Sequence, residues 1–172
     1  MKKIIYCILI GFTLCSCSGT AIPLRTNYDS LKKVYFSDKS KDEVWNKIIQ
    51  LFTTDGIGIK LIDKSSGLIV SEKTDFIKNF TQEDGSGKIA NQNSFLVVSK
   101  YDAMGKNILP TSVVGSWNIR LFEENQRTAL EVNLTNIEAF YGATGYQGTQ
   151  IHIPFDAKST GVFERQVAEY VR

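Results

Sequence analysis

The sequence predicts an α+β domain with a curved antiparallel sheet of about five to six strands and two helices packed on one face of it. Two observations support this prediction. In one set of segments apolar and polar residues alternate, and short polar turns join consecutive segments, as in antiparallel hairpins. In two other segments, far apart along the chain, apolar residues recur every three or four positions, as on one face of a helix. The predicted order is β-α-β-β-β-β-β-α, and we expect residues 34–172 to form this single domain.

The first strand and the first helix follow each other directly. Residues 34–36 are apolar and aromatic and form the candidate first strand. Ser40 is predicted to open a helix because Glu43 follows three residues later, and in such a capping box each side chain satisfies the backbone N–H of the other residue. The apolar stripe of this helix consists of Val44, Trp45, Ile48, Ile49, Leu51 and Phe52. The pair Asp55 and Gly56 then ends it.

Two hairpins are predicted from alternation. Residues 57–61 alternate between apolar and small or polar positions, and the polar turn at residues 63–67 leads into the apolar residues 68–70. Residues 113–121 and 130–134 each place their apolar side chains on one parity, and a polar turn separates them. Both patterns are typical of strands that bury one face.

The remaining segments complete the pattern. Residues 75–93 are polar and contain glycine, so they are predicted to form a long loop, and residues 95–101 alternate like a strand. Residues 140–148 combine three glycines with three aromatic residues, and they are predicted to form a long mobile loop. A second helix is predicted from the spacing of Val162, Phe163, Val167, Tyr170 and Val171.

The N-terminal residues have the three-part organisation of a secretory signal. Lys2 and Lys3 precede an apolar run over residues 4–14, and small residues follow. The run has 11 residues, whereas a helix that crosses a bilayer needs roughly 20. A cleaved export signal is therefore favoured over a permanent membrane span.

The end of this segment, Leu-Cys-Ser-Cys at residues 14–17, resembles the lipobox of bacterial lipoproteins. In that motif an aliphatic residue and two small residues precede the cysteine that receives diacylglycerol. The resemblance implies cleavage directly before Cys17 and lipidation of Cys17. Cys15 fits less well, because the bulky Leu14 directly precedes it.

The lipobox resemblance divides the chain and gives it a location. We expect residues 1–16 to be a signal peptide and residues 17–33 to be a lipidated tether. Two or three acyl chains, which the resemblance implies, hold a protein on a membrane permanently. The resemblance also implies sorting to the outer membrane, because Ser18 is not acidic, with the domain in the periplasm. The membrane is thus the first expected partner.

Charge and cysteine content exclude several classes of function. The chain has 20 Lys and Arg and 18 Asp and Glu. Because Lys2 and Lys3 would leave with the signal peptide, the mature net charge is about zero, which argues against a nucleic-acid partner. The three cysteines lie at or before the predicted cleavage site, so disulfides and cysteine metal sites are excluded for the mature domain. We expect no cofactor.

A second resemblance concerns the fold. Residues 55–59, Asp-Gly-Ile-Gly-Ile, and residues 62–69, Ile-Asp-Lys-Ser-Ser-Gly-Leu-Ile, resemble the helix-strand-hairpin start of BamC-type helix-grip domains. The resemblance implies a helix-grip arrangement, in which helices cover the concave face of a curved sheet. BamC-type proteins carry two such domains after a long arm, whereas here we expect one domain and a short tether.

Few residues suggest catalytic or metal chemistry. His152 is predicted to be an exposed strand residue, since the mature chain offers no second histidine and no free cysteine as a metal ligand. Residues 85–88, Gly-Ser-Gly-Lys, lack the first glycine and the final Ser or Thr of a phosphate-binding loop. Ser116 lies in a predicted strand without the glycine pattern of a nucleophile elbow. Glu123 and Glu124 fit a solvated turn.

The predicted function is that of a non-enzymatic cell-envelope lipoprotein that binds another envelope protein as an assembly accessory. Phe140, Tyr141 and Tyr146 are the candidate binding residues, because aromatic side chains supply large contact areas. The alternative is a carrier of a lipid or small apolar ligand, which needs a cavity of roughly 300 to 1,000 Å³. An enzyme that acts on envelope glycans is a third alternative.

Overall fold

The fold is α+β, as predicted, and the computed structural model describes residues 19–31 and 33–172. The strands are β1 Thr20–Ile22, β2 Val34–Ser37, β3 Ile59–Asp63, β4 Leu68–Ser71, β5 Thr74–Asp75, β6 Phe80–Thr81, β7 Leu96–Val98, β8 Lys100–Ala103, β9 Lys106–Ile108, β10 Ser112–Glu124, β11 Arg127–Thr144, β12 Gln150–Pro154 and β13 Ala157–Ser159. The helices are α1 Lys41–Thr54 and α2 Val162–Val171, with short 3-10 turns at Tyr28–Ser30 and Tyr146–Gly148. The predicted signal peptide and Cys17 lie outside the described residues.

The described strands form three sheets. The main sheet has seven strands in the order β12-β11-β10-β4-β3, with β2 also paired to β11 and β5 to β10. Two further sheets of three strands have the orders β1-β8-β9 and β13-β7-β6. The predicted number of about five to six strands is therefore too low, because strands of two or three residues carry too little alternation to be seen in a sequence. The predicted loop at residues 75–93 is also wrong in part, since it contains β6 and begins within β5.

The start of α1 is confirmed. The Ser40 hydroxyl accepts a hydrogen bond from the Glu43 backbone N–H at 3.3 Å, and the Glu43 carboxylate accepts one from the Ser40 backbone N–H at 3.0 Å. Asp55 follows as the C-terminal cap. The side chains that α1 buries are Val44, Trp45, Ile48 and Phe52. The predicted amphipathic face is thus the face that packs.

Trp117 of β10 lies at the centre of the core. Its ring stacks on Phe163 of α2 with a centroid distance of 3.9 Å and an interplanar angle of 21°. Phe76 meets the same indole edge-on at 5.9 Å. The buried residues of α1 belong to the same core cluster as Trp117 and Phe163. Both helices therefore cover one face of the main sheet, as predicted.

A β-bulge in β11 changes which residues face the core, from even-numbered residues before it to odd-numbered residues after it. Ser116 pairs with Thr135 and Val114 pairs with Glu138, so residues 136–137 oppose Gly115 alone. Asn136 has a φ of +52°, a left-handed conformation that Asn tolerates better than most residues. The inward-facing residues of β11 are therefore Leu130, Val132 and Leu134 before the bulge and Ile137, Ala139 and Tyr141 after it.

Residues 19–31, which we call the strap, lie against the domain rather than apart from it. Strand β1 pairs with β8 in a register that places Thr20 opposite Asp102. Gly19 lies directly on the Tyr101 ring, where an added Cβ would be 2.3 Å from a ring carbon. No side chain fits at that position without moving the ring. The described part of the predicted tether is thus docked.

Glu83 holds the second half of the strap. Its side chain is 6 % exposed, and its carboxylate accepts hydrogen bonds from the backbone N–H of Arg25 at 2.7 Å and of Thr26 at 3.1 Å. The Tyr28 hydroxyl donates a third bond at 2.7 Å. Burial raises the pKa of Glu83, but these hydrogen bonds outweigh burial, so the pKa lies below its ordinary value. Glu83 is therefore an ionised clamp on the strap.

Candidate functional site

The candidate site is a two-stranded arm made of β11 and β12. The pairing of β11 with β10 ends at Phe140 opposite Ser112, whereas its pairing with β12 continues to Thr144 opposite Gln150. The end of the hairpin therefore extends past β10 as a ribbon of two strands, which we call the arm. The prediction of a long loop over residues 140–148 is wrong for its first half, because residues 140–144 belong to β11.

The structure separates the three predicted aromatic residues. Phe140 and Tyr141 are adjacent in a strand, so their side chains point to opposite faces of the sheet. Tyr141 packs against the core, and Phe140 contacts the His152 ring at a centroid distance of 4.8 Å. Tyr146 lies in the turn at the tip and is 89 % exposed. Phe140 and Tyr146 remain available for contact, while Tyr141 is largely structural.

His152 lies where alternation along the strand predicts it. It is exposed on β12 and pairs with Gly142. Together with Phe140 it borders an open hollow of about 330 Å³ at the base of the arm. The hollow is lined by Ile137, Glu138, Ala139, Phe140, His152, Pro154 and Phe155. A shallow apolar depression of this kind can accept an apolar side chain of a partner.

The outer edge of β12 offers backbone groups for pairing. Strand β12 is at one end of the main sheet and pairs with β11 alone among the described strands. Natural edge strands are usually protected by charged side chains, which prevent another chain from pairing with them. Residues 150–154, Gln-Ile-His-Ile-Pro, contain no Lys, Arg, Asp or Glu, and the proline, which also protects edges, is the last residue of the strand. The opposite edge, β3, has Lys60 and Asp63 and is protected in this way.

The other motifs do not form a reactive centre in the described part of the chain. Asp84 fills the turn at residues 85–88 with its own carboxylate, which accepts bonds from the backbone N–H of Ser86 at 2.8 Å and of Lys88 at 3.0 Å. Hydrogen bonds from Ser86 and Lys88 lower the pKa of Asp84 to about 2. Ser116 is buried within β10. Within residues 19–31 and 33–172 no three His, Cys, Asp or Glu residues are grouped to hold a metal ion.

Glu164 is a buried acidic residue that sequence reasoning missed. It lies in the first turn of α2, is 3 % exposed, and its Oε2 has no hydrogen-bond partner among the described residues. Burial raises the pKa of Glu164 above its ordinary value. A hollow of about 120 Å³ beside it is lined in part by Leu134, Ile137 and Lys33. The sequence predicts α2 from the spacing of its apolar residues, and this spacing does not indicate that an acidic residue of the same helix is buried.

Comparison with known proteins adds no assignment. The sequence matches no protein-family model, and no curated protein matches it significantly. None of the helices in the described residues has the length and apolar character to cross a membrane.

Proposed function

We propose that the chain is a non-enzymatic lipoprotein of the cell envelope, anchored to the outer membrane through Cys17, whose periplasmic domain binds another envelope protein along β12. The anchoring rests on the lipobox resemblance of residues 14–17. The binding rests on one observation above all: β12 is an edge strand without charged residues, its outer side is paired with no other described strand, and it lies on an arm that projects beyond β10. A helix-grip arrangement is part of the proposal, and the packing of α2 on Trp117 supports it.

The chemistry of the edge favours strand addition. An extended segment of a partner that pairs with β12 gains main-chain hydrogen bonds, while pockets for alternate side chains give specificity. Ile151 is 41 % exposed on β12, and the hollow beside Phe140 and His152 lies next to the same edge. Since Ile151 and His152 point to opposite faces of β12, an extended partner segment with an apolar residue on each face fits these features. Tyr146 adds an aromatic contact at the tip.

The observations favour protein binding over the carrier alternative. A carrier needs a cavity of roughly 300 to 1,000 Å³ that encloses its ligand. The hollow beside α2 has about 120 Å³. The space between the sheet and α2 is occupied where Trp117 stacks on Phe163.

Site-specific photo-crosslinking in cells tests the proposal. A photoreactive amino acid replaces Ile151 on β12, and in a matched control it replaces Ile62 on the charged edge β3, where Ile62 is 51 % exposed. We expect a discrete crosslinked protein from position 151 and none from position 62. The change Ile151→Lys, which gives β12 the protection of an ordinary edge, should abolish capture of that protein. Equal crosslinking from both edges, or capture that survives Ile151→Lys, would contradict strand addition.

A further inference from the structure

The turn between β8 and β9 carries an unexpected residue. Ala103 pairs with Lys106, so Met104 and Gly105 form a two-residue turn, with φ values of +52° and +71°. Positive φ at both positions is typical of a type I′ turn, which favours Asn, Asp or Gly at its first position. Met104 is 81 % exposed. A large apolar side chain is thus placed in water and in a backbone conformation that it disfavours.

The β10–β11 turn of the same protein has a similar geometry and carries a residue that this geometry favours. Glu124 pairs with Arg127 at the β10–β11 turn, where Asn125 occupies the first position with a φ of +51°. Asn is the residue that the geometry favours. The turn geometry therefore does not require methionine at position 104. An exposed outlier of this kind points to a role outside the fold.

Topology places Met104 close to the predicted lipid anchor. Strands β1 and β8 are antiparallel, with Thr20 opposite Asp102, so the N-terminal end of β1 lies beside the end of β8 that enters the β8–β9 turn. Cys17 precedes Thr20 by three residues, which span at most about 11 Å. Met104 follows Asp102 by two residues, or about 7 Å along a strand. A lipid on Cys17 would therefore be attached within about 11 Å of Thr20, whose strand ends beside the end of β8 that leads to Met104.

The docked strap fixes this arrangement. Gly19 is held on the Tyr101 ring, and Glu83 binds the backbone of Arg25 and Thr26. In the sequence, Ser18 alone separates the predicted anchor Cys17 from Gly19, the first residue of the docked strap. An anchor at Cys17 would therefore place the end of the domain that carries the β8–β9 turn next to the bilayer.

We infer that the β8–β9 turn is a membrane-contacting element, in which the Met104 side chain enters the boundary between headgroups and acyl chains beside the lipid of Cys17. This inference rests on the proposed anchoring. Transfer of the exposed thioether side chain out of water provides the favourable energy. The nearest charged side chains in the register are Asp102 and Lys106, which are of opposite sign. The contact should thus be equally strong on zwitterionic and anionic bilayers.

Fluorescence quenching tests the contact on the full lipidated protein. The variants Met104→Trp and Asn125→Trp place an indole at the first position of the two matched turns. Each is reconstituted into phosphatidylcholine vesicles, with or without brominated acyl chains, which quench indole fluorescence at short range. The native Trp45 and Trp117 are buried, so the unsubstituted protein supplies the background. We expect brominated lipid to remove most of the added fluorescence of Met104→Trp and little of that of Asn125→Trp.

The outcomes separate the inference from the anchoring on which it rests. Flotation of the vesicles reports whether the protein is anchored. A protein that floats, but whose indole at position 104 is quenched no more than that at position 125, overturns the membrane contact and leaves the anchor in place. A protein that does not float overturns both. A flexible Gly-Ser insertion before Gly19 should preserve flotation and lower quenching at position 104, and unchanged quenching there would contradict the role of the docked strap.

Discussion

Replacing Glu83 with glutamine should release the strap without unfolding the domain. The carboxylate receives donors only: the Arg25 and Thr26 backbone N–H groups and the Tyr28 hydroxyl. The glutamine amide keeps one oxygen acceptor and presents an NH₂ donor in place of the other. One strap donor would therefore face another donor in a buried position.

The size of the effect follows from the hydrogen bonds that are lost. A hydrogen bond to a charged group contributes about 1.5 to 3 kcal/mol, and an unsatisfied buried donor costs a similar amount. We expect local opening of the strap to become easier by about 2 kcal/mol, which corresponds to roughly 30-fold faster exchange of amides whose exchange follows the opening equilibrium. Neither Glu83 nor Tyr28 belongs to the core cluster around Trp117, so the free energy of global unfolding should change much less.

Amide hydrogen exchange at pH 7 measures this opening. The Arg25 and Thr26 amides should exchange faster in Glu83→Gln, while Glu123→Gln, a change at an exposed position, should leave them unchanged. Since the folded pKa of Glu83 lies below its ordinary value of 4.5, its stabilising contribution is present above that value and is lost as pH falls through the folded pKa. The difference between the native protein and Glu83→Gln should therefore shrink in acid. Unchanged exchange of both amides at pH 7 would refute the clamp.

Three further predictions can be checked separately. Cys17→Ala should abolish metabolic acyl labelling and Cys15→Ala should not, and labelling that persists without Cys17 would exclude it as the lipidation site. Ile48→Ala should lower the free energy of unfolding by about 2 to 5 kcal/mol in denaturant melts, because Ile48 is fully buried in the core; a loss well under 1 kcal/mol would mean that α1 packs loosely. Met104→Asn should raise the same free energy by about 1 kcal/mol, because Asn tolerates the left-handed conformation better. A destabilised Met104→Asn variant would show that the methionine serves the fold.

The elements that the sequence predicts correctly are those determined by residues close together in the sequence. The capping box of Ser40 and Glu43 determines where α1 starts, and contiguous alternation identifies β10 and the first part of β11. The two small sheets join segments that are remote in sequence, such as β1 with β8, and no local pattern reports such pairing. Their strands are also short, so their alternation is too brief to distinguish from chance.

The arm was missed for a different reason. Because of the bulge at Asn136, the residues that face the core have even numbers up to Leu134 and odd numbers from Ile137 onward. A single alternation of apolar and polar residues therefore does not run through β11. A test for two consecutive alternations of opposite parity would have extended the strand to Tyr141. The clamp by Glu83 gives no such signal, because an acidic residue in a polar segment has the same local pattern whether it is buried or solvated.

The stacking of Trp117 on Phe163 also affects the order in which the domain can be completed. Phe163, Val167 and Val171 all come from α2, the last element of the described chain, and they fill the face of a sheet whose strands are made much earlier. The Ser37 hydroxyl likewise donates to the carbonyl of Val171 across 134 positions. A chain that emerges from its N-terminus first, from a ribosome or a translocation channel, has therefore exposed the indole of Trp117 before its cover arrives. Until α2 has emerged, the part of the sheet that it covers is an exposed apolar surface, which makes the incomplete chain prone to aggregation.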